Sequence, residues 1–209
     1  MPINLKNLNE VNQILELYPK SKLLIVTKNR SSEIIQELIK IGYCSFGENR
    51  VQEAQVKFKN IQSNHLNLEL IGPLQTNKVP LALKIFDTIQ SIDRIKLVDE
   101  INKYISHKPQ KTKNFYIQVN IGEETQKSGV SINNLNELYD YCIKKGINVI
   151  GLMCIPPNVD DPSFFFLKLK KLRDQLNPNL KLSMGMSSDY VAALKVGSDL
   201  IRIGSKIFE

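Results

Sequence analysis

Lys28 follows, one residue after its end, a run of four apolar residues, Leu23-Leu24-Ile25-Val26. Partial burial beside such a run disfavours the charged amine and lowers its pKa. A neutral amine condenses with an aldehyde. The ordinary alternative is a lysine that snorkels to solvent at a strand end, and lysines are abundant here. Two stretches near the other end of the chain have the makings of an anion cradle, Ser183-Met184-Gly185-Met186-Ser187-Ser188-Asp189 and Gly204-Ser205. Glycine lets backbone approach an anion closely, and hydroxyls and helix N-terminal amides donate to it. Plain turns with N-capping serines would look the same. Arg202 stands between Ile201 and Ile203. Alternation turns it away from them, either into the centre of the fold or among its helices. A buried guanidinium needs an acceptor there, and a structural ion pair would also supply one. Gly47-Glu48-Asn49 and Gly72-Pro73-Leu74-Gln75-Thr76-Asn77-Lys78 add polar groups that could join the same site.

The elements that must position these residues alternate. Strands are predicted over residues 23–27, 43–46, 68–71, 86–92, 115–120, 149–153, 180–184 and 200–203. Helical patterns fill 31–41, 48–59, a stretch ending at 83, 93–105, 132–145, 162–176 and 188–196. Ser31 or Ser32 opens the first of these and Asp93 caps the fourth, while Gly42, Gly146 and Gly197 close three. Branched apolar runs separated by helices imply a parallel sheet covered on both faces. Eight such units are the count of a closed (β/α)8 barrel, with an open doubly wound sheet as the structural alternative. In a barrel, functional groups sit at the C-terminal strand ends, and the loops after strands seven and eight often hold phosphate. Both serine-glycine stretches fall there. No useful helix follows the last strand, and the amphipathic segment 8–17 is placed to cover the gap. Without a linker or repeat, residues 1–209 read as one domain.

Composition narrows the class. The 209 residues are 42% hydrophobic and 23% charged, which is ordinary globular composition. The net charge of +7 comes from lysines spread along the whole chain, and Trp is absent. No arginine-rich stripe marks a nucleic-acid partner. No apolar run reaches the ~18–20 residues of a membrane span, and no signal peptide opens the chain, so a cytoplasmic protein is expected. Cys44, Cys142 and Cys154 are odd in number and far apart, which suits small buried hydrophobes in a reducing compartment. His65 and His107 lie in polar surroundings without metal-ligand spacing, so neither a metal site nor a Ser-His-Asp triad is expected.

Several segments, taken in order, resemble the pyridoxal phosphate homeostasis proteins. They are Val26-Thr27-Lys28, Phe46-Gly47-Glu48-Asn49-Arg50-Val51-Gln52-Glu53, Ile71-Gly72-Pro73-Leu74-Gln75-Thr76-Asn77-Lys78, Ser91-Ile92-Asp93-Arg94, Gln118-Val119-Asn120-Ile121, Lys127-Ser128-Gly129, Gly151-Leu152-Met153, Ser183-Met184-Gly185-Met186-Ser187 and Arg202-Ile203-Gly204-Ser205-Lys206-Ile207-Phe208. That family consists of small cytosolic proteins built like the barrel of bacterial alanine racemase, fold type III, without its second β domain. The resemblance spans about residues 8 to 208. Where the family commonly has Trp-His-Phe before Ile-Gly, this chain has Leu68-Glu69-Leu70.

The resemblance implies pyridoxal 5′-phosphate (PLP) as cofactor. Lys28 would hold it as a Schiff base, with Asn49 near the ring. Ser187, Gly204 and Ser205 would bind the phosphate, Ser183 and Met184 would line the pocket, and Arg202 would face the pyridine nitrogen. It further implies a monomeric PLP-binding protein without dedicated catalysis, which buffers PLP or delivers it to PLP-dependent recipient enzymes. The alternative is an amino acid racemase. Racemases of this fold add a second domain and take a catalytic tyrosine from a partner subunit. This chain ends where the barrel ends, so two-base racemisation is not expected of it.

Overall fold

The computed structural model describes residues 2–61, 65–105 and 110–208. Its strands are β1 (Lys22–Val26), β2 (Ser45–Glu48), β3 (Asn67–Leu70), β4 (Thr88–Ile92), β5 (Asn114–Val119), β6 (Val149–Cys154), β7 (Lys181–Ser183) and β8 (Leu200–Ile203). Each pairs in parallel with the next, and β8 returns to β1 from Lys22–Leu200 to Ile25–Ile203. The sheet is a closed eight-stranded barrel, which settles the choice against an open doubly wound sheet.

The helices are α1 (Leu5–Glu16), α2 (Ser32–Lys40), α3 (Val51–Phe58), α4 (Val79–Ile85), α5 (Ile95–Ile105), α6 (Leu135–Lys144), α7 (Ser163–Leu176), α8 (Tyr190–Val196) and α9 (Ser205–Phe208). Each long helix turns one apolar stripe to the sheet. Leu97, Val98 and Ile101 are buried on α5, and Leu135, Leu138 and Cys142 on α6. That spacing is the 3.6-residue period. They join Ile25, Phe46, Leu68, Ile89 and Ile203 of the strands in one apolar cluster. Burying each large side chain contributes about 1.5–3 kcal/mol. Gly42, Gly146 and Gly197 take positive φ behind α2, α6 and α8, as left-handed helix ends do.

The barrel is closed from outside by α1, as the amphipathic pattern predicted. Leu8 and Val11 are buried beneath it. The Asn4 amide donates to the Ile207 carbonyl at 2.7 Å, and Asn7 Nδ2 to the Lys206 carbonyl at 2.7 Å. Lys206 Nζ pairs with Glu10 at 3.1 Å. The single turn of α9 thus borrows its cover from the beginning of the chain.

Several local expectations need correction. Cys142 and Cys154 are buried, but Cys44 is exposed, because β2 starts only at Ser45 and leaves Cys44 in the preceding loop. Glu48 ends β2 instead of opening α3. Asp93 does not cap α5; it pairs with Arg94 Nη1 at 2.5 Å. Short 3-10 turns, Thr76–Lys78 and Ile132–Asn134, precede α4 and α6. His65 is exposed in a turn, and His107 lies outside the described residues. Among the described residues no helix is long and apolar enough to cross a membrane, and no group of three or more His, Cys, Asp or Glu could hold a metal ion.

Candidate functional site

A cavity of about 830 Å³ opens at the C-terminal ends of the strands. That is within the roughly 300–1,000 Å³ of ordinary ligand sites. Lys28 reaches it from the end of β1, Asn49 from the loop after β2, and Gly72 and Pro73 from the loop after β3. Gln118 comes from β5, Met186 to Ser188 from the loop after β7, and Arg202 with Gly204 to Lys206 from β8 and α9.

Lys28 itself is exposed, so the partial burial expected of its amine is not found. Among the described residues its amine has neither a hydrogen bond nor an ion pair. Polar contacts lie instead on either side of it, buried on the Thr27 side and exposed on the Asn29 side. Lys57 Nζ of α3 sits 2.5 Å from Glu48 Oε1 and 2.9 Å from Glu53 Oε1. The same Nζ donates to the Thr27 carbonyl at 2.6 Å, and Thr27 Oγ1 donates to Glu48 Oε1 at 2.6 Å. On the other side the Asn29 amide donates to Glu53 Oε1 at 2.6 Å. Asn29 is held at φ +58°, a left-handed conformation that few side chains adopt readily. Residues 27 and 29 are therefore pinned to α3, and Lys28 projects between two fixed points. Burial pushes the Glu48 carboxyl up, and Lys57 and Thr27 pull it back. For Glu53 burial also pushes up, but Lys57 and the Asn29 amide win and hold it below the usual value.

Arg202 points into the barrel and is 3% exposed. Among the described residues it forms no ion pair with a carboxylate, so the ion-pair alternative is not what holds it. Nη1 donates to Ser183 Oγ at 2.7 Å and Nη2 to the Cys154 carbonyl at 2.7 Å. Ser183 donates onward to Gln90 Oε1 at 2.6 Å, and Gln90 Nε2 to Glu69 Oε2 at 2.5 Å. Asn67 Nδ2 completes the chain on Glu69 Oε1 at 2.8 Å. Burial pulls the Arg202 pKa down, while the surroundings of Cys154, Asp189, Glu69 and Tyr116 favour its charge.

Across the cavity the backbone amides of Gly204 and Lys206 converge on Ser187 Oγ at 3.3 and 3.2 Å. Ser187, Gly204 and Ser205 therefore share one corner. Asn49 is fixed by a close crossing of chains, since a Cβ on Gly72 would lie 2.2 Å from the Asn49 carbonyl oxygen. Gly72→Ala is expected to push the Asn49 loop away and destabilise the fold by about 1–3 kcal/mol. Urea unfolding measures this, and an unchanged midpoint would show the crossing to be slack.

Of the residues singled out in the sequence, Lys28, Asn49, Ser187, Arg202, Gly204 and Ser205 meet on the cavity. Ser183 and Met184 do not line it. Ser183 is fully buried one bond behind Arg202, and Met184 belongs to the apolar cluster. Glu48, expected at the same rim, is turned toward Lys57. Gln118 was not foreseen as a lining residue; its Oε1 is buried without a partner while its Nε2 donates to the Ser128 carbonyl. Its signal was a polar residue inside an apolar strand.

The chain matches the alanine racemase, N-terminal domain family over residues 3–209. It is 39% identical over 197 residues to the pyridoxal phosphate homeostasis protein of Aquifex aeolicus (strain VF5), covering 90% of this chain and 86% of that one. The structure of PipY from Synechococcus elongatus PCC7942 without PLP superposes with a TM-score of 0.87 at 29% identity, over 98% of this chain and 99% of that one. The same protein with PLP bound gives a TM-score of 0.81. Alanine racemase from Acinetobacter baumannii shares the fold at a TM-score of 0.77 and 17% identity, and this chain covers 62% of it.

Proposed function

Because this chain belongs to the pyridoxal phosphate homeostasis proteins, within the alanine racemase N-terminal domain family, we propose that it binds PLP in the barrel-mouth cavity and buffers it or delivers it to PLP-dependent enzymes, without a dedicated reaction of its own. The observation that carries this is the meeting of an unpartnered lysine, a buried arginine and a Ser187–Gly204–Ser205 corner on one cavity. PLP supplies an aldehyde, a phosphate and a ring nitrogen, and each has a counterpart there.

Lys28 is the residue that would hold the aldehyde carbon as a Schiff base. Ser187, Gly204 and Ser205 would hold the phosphate through hydroxyl and amide donors. Asn49 would stand beside the ring. Arg202 would meet the ring nitrogen as a donor only, since a guanidinium has no acceptor. The nitrogen then stays unprotonated, which makes the ring a weak electron sink. That favours storage over carbanion chemistry. Among the described lining residues the titratable groups are Lys28, Lys127, Lys206 and Arg202. Lys127 is paired with Glu124 and Lys206 with Glu10. Among the described residues no Tyr, His or carboxylate lines the cavity as a second acid or base.

The test is spectroscopic. Protein incubated with PLP and desalted is expected to be yellow, with a band near ~420 nm that borohydride bleaches. A colourless protein overturns the proposal. A yellow protein that exchanges the Cα proton of L-alanine in heavy water at about 1–10³ s⁻¹ would instead be a racemase-type enzyme.

A further inference from the structure

The polar chain beneath the cavity has a direction. Arg202 only donates. Ser183 accepts from it and donates to Gln90, and Gln90 donates to Glu69. Every link passes a donor toward the carboxyl group, which also accepts from Asn67. Arg202, Ser183, Gln90 and Glu69 are 3%, 0%, 0% and 6% exposed. Bonds aligned in this way inside a low-dielectric interior polarise one another.

The far end decides the sense of the chain. Gln90 turns its nitrogen toward β3 because a carboxyl oxygen accepts it there. Without that oxygen, the Gln90 nitrogen loses its acceptor on β3 and nothing holds it away from Ser183; with the amide turned, the chain loses its direction. Ser183 would then face two donors, Arg202 and Gln90, while its own proton lost its acceptor. The Cys154 carbonyl would still hold Nη2, so the guanidinium would stay in place with Nη1 poorly satisfied. Tyr116, Asp189 and Cys154 also face Arg202. Asp189 is occupied by the Met186 amide at 2.6 Å.

We propose that Glu69 is a positioning residue: through Gln90 and Ser183 it sets the hydrogen bonding of Arg202, and with it the electrostatics at the ring nitrogen of bound PLP. The last clause rests on the proposed function; the relay itself does not. Glu69 touches nothing in the cavity; it acts on Arg202 through the chain and through the field of its carboxylate, and Glu69→Gln removes the field while keeping the chain.

The experiment compares Glu69→Met, Gln90→Met, the double variant and Glu69→Gln. Both single Met variants are expected to shift the absorbance maximum of bound PLP and to weaken PLP by about tenfold, the common scale for outer partners that orient a ligand-contacting group. The double variant is expected to be no worse than either single one, because both cut the same chain. Glu69→Gln keeps an acceptor for Gln90 and recovers most of the affinity. Lower thermal stability with unchanged spectrum and affinity would reduce Glu69 to packing and overturn the inference. A ligand-free arm uses ¹⁵N-arginine NMR. The Arg202 guanidinium resonances are expected to move in Glu69→Met and in Glu69→Gln to differ less from wild type, and an unmoved Nη1 signal overturns the inference. If the wild-type protein takes up no PLP, the proposed function falls and the NMR arm alone decides the relay. Should the Met variants not fold, Glu69→Gln carries the test in the same NMR measurement: a small but resolved movement of the Nη1 signal is expected, and an unmoved one overturns the inference.

Discussion

In Lys28→Ala the band near ~420 nm is expected to vanish, and borohydride is expected to leave no adduct on the chain. The physical reason is selectivity among lysines. Lys57 is locked between Glu48 and Glu53, and Lys127 lies 2.5 Å from Glu124 while donating to the Pro156 carbonyl. Lys206 is tied to Glu10. An amine whose protons are directed at carboxylate and carbonyl oxygens is held away from an aldehyde carbon. Lys28 alone among the lysines of the cavity lining has no partner among the described residues. Removing it leaves the phosphate and ring contacts, so weak reversible retention remains, on the order of a hundredfold or more below wild type. Mass spectrometry of the reduced wild-type protein checks the assignment. An adduct found on Lys127 or Lys206, or a persistent band in Lys28→Ala, would show that another amine is the anchor.

Lys57→Met is expected to lower the unfolding free energy by about 3–5 kcal/mol, the usual result of removing one member of a buried charge cluster. The side chains of Lys57 and Glu48 are 9% and 0% exposed, and Glu48 Oε2 already lacks a partner. Without the lysine, two carboxylates face each other with only Arg50, near Glu53, as counter-charge. The pH dependence has a definite sign. In the wild-type protein the low pKa of Glu53 contributes stability above the ordinary glutamate range, lost as pH falls through the folded value. In the variant both carboxyls are pushed up, so their penalty is present at neutral pH and relieved as they take protons. The gap between the two proteins should therefore narrow toward acid. Denaturant midpoints between neutral and mildly acidic pH measure it, and a gap that widens in acid would contradict the cluster's role. The same variant should also take up PLP more slowly, since Thr27, on one side of Lys28, loses its tie to Lys57 while Asn29 keeps its own to Glu53.

The barrel was legible in the sequence because its punctuation is local. Short branched runs, helical stripes and glycines such as Gly42 and Gly197 each declare themselves within a few residues. Glu48 misled because Phe46-Gly47-Glu48 lacks β-branched residues, and only pairing with β1 and β3 makes it a strand. The cavity-lining set was legible for a different reason: in a closed parallel barrel the strand ends share one rim. Of the two readings of Lys28, the one in which it reaches solvent at a strand end is the one found, because Thr27, not Lys28, takes the buried place. Ser183 was misplaced for a register reason. Whether a strand's last residue faces the mouth or the layer beneath depends on the stagger around the ring, which no single segment contains. The relay was beyond reach altogether. Ser183 and Gln90 are 93 positions apart, and nothing within either strand announces the other.

The seam at which β8 meets β1 brings Leu24 beside Arg202, with Lys28 two residues past the end of β1. The first and last strands of the ring are therefore the two jaws on an occupant that binds both. An occupant held across a closure is thermodynamically linked to it: the tighter it sits, the more it resists parting of the two ends of the chain. In such an arrangement the guest acts as a rivet for its host, and a loaded barrel outlasts an empty one.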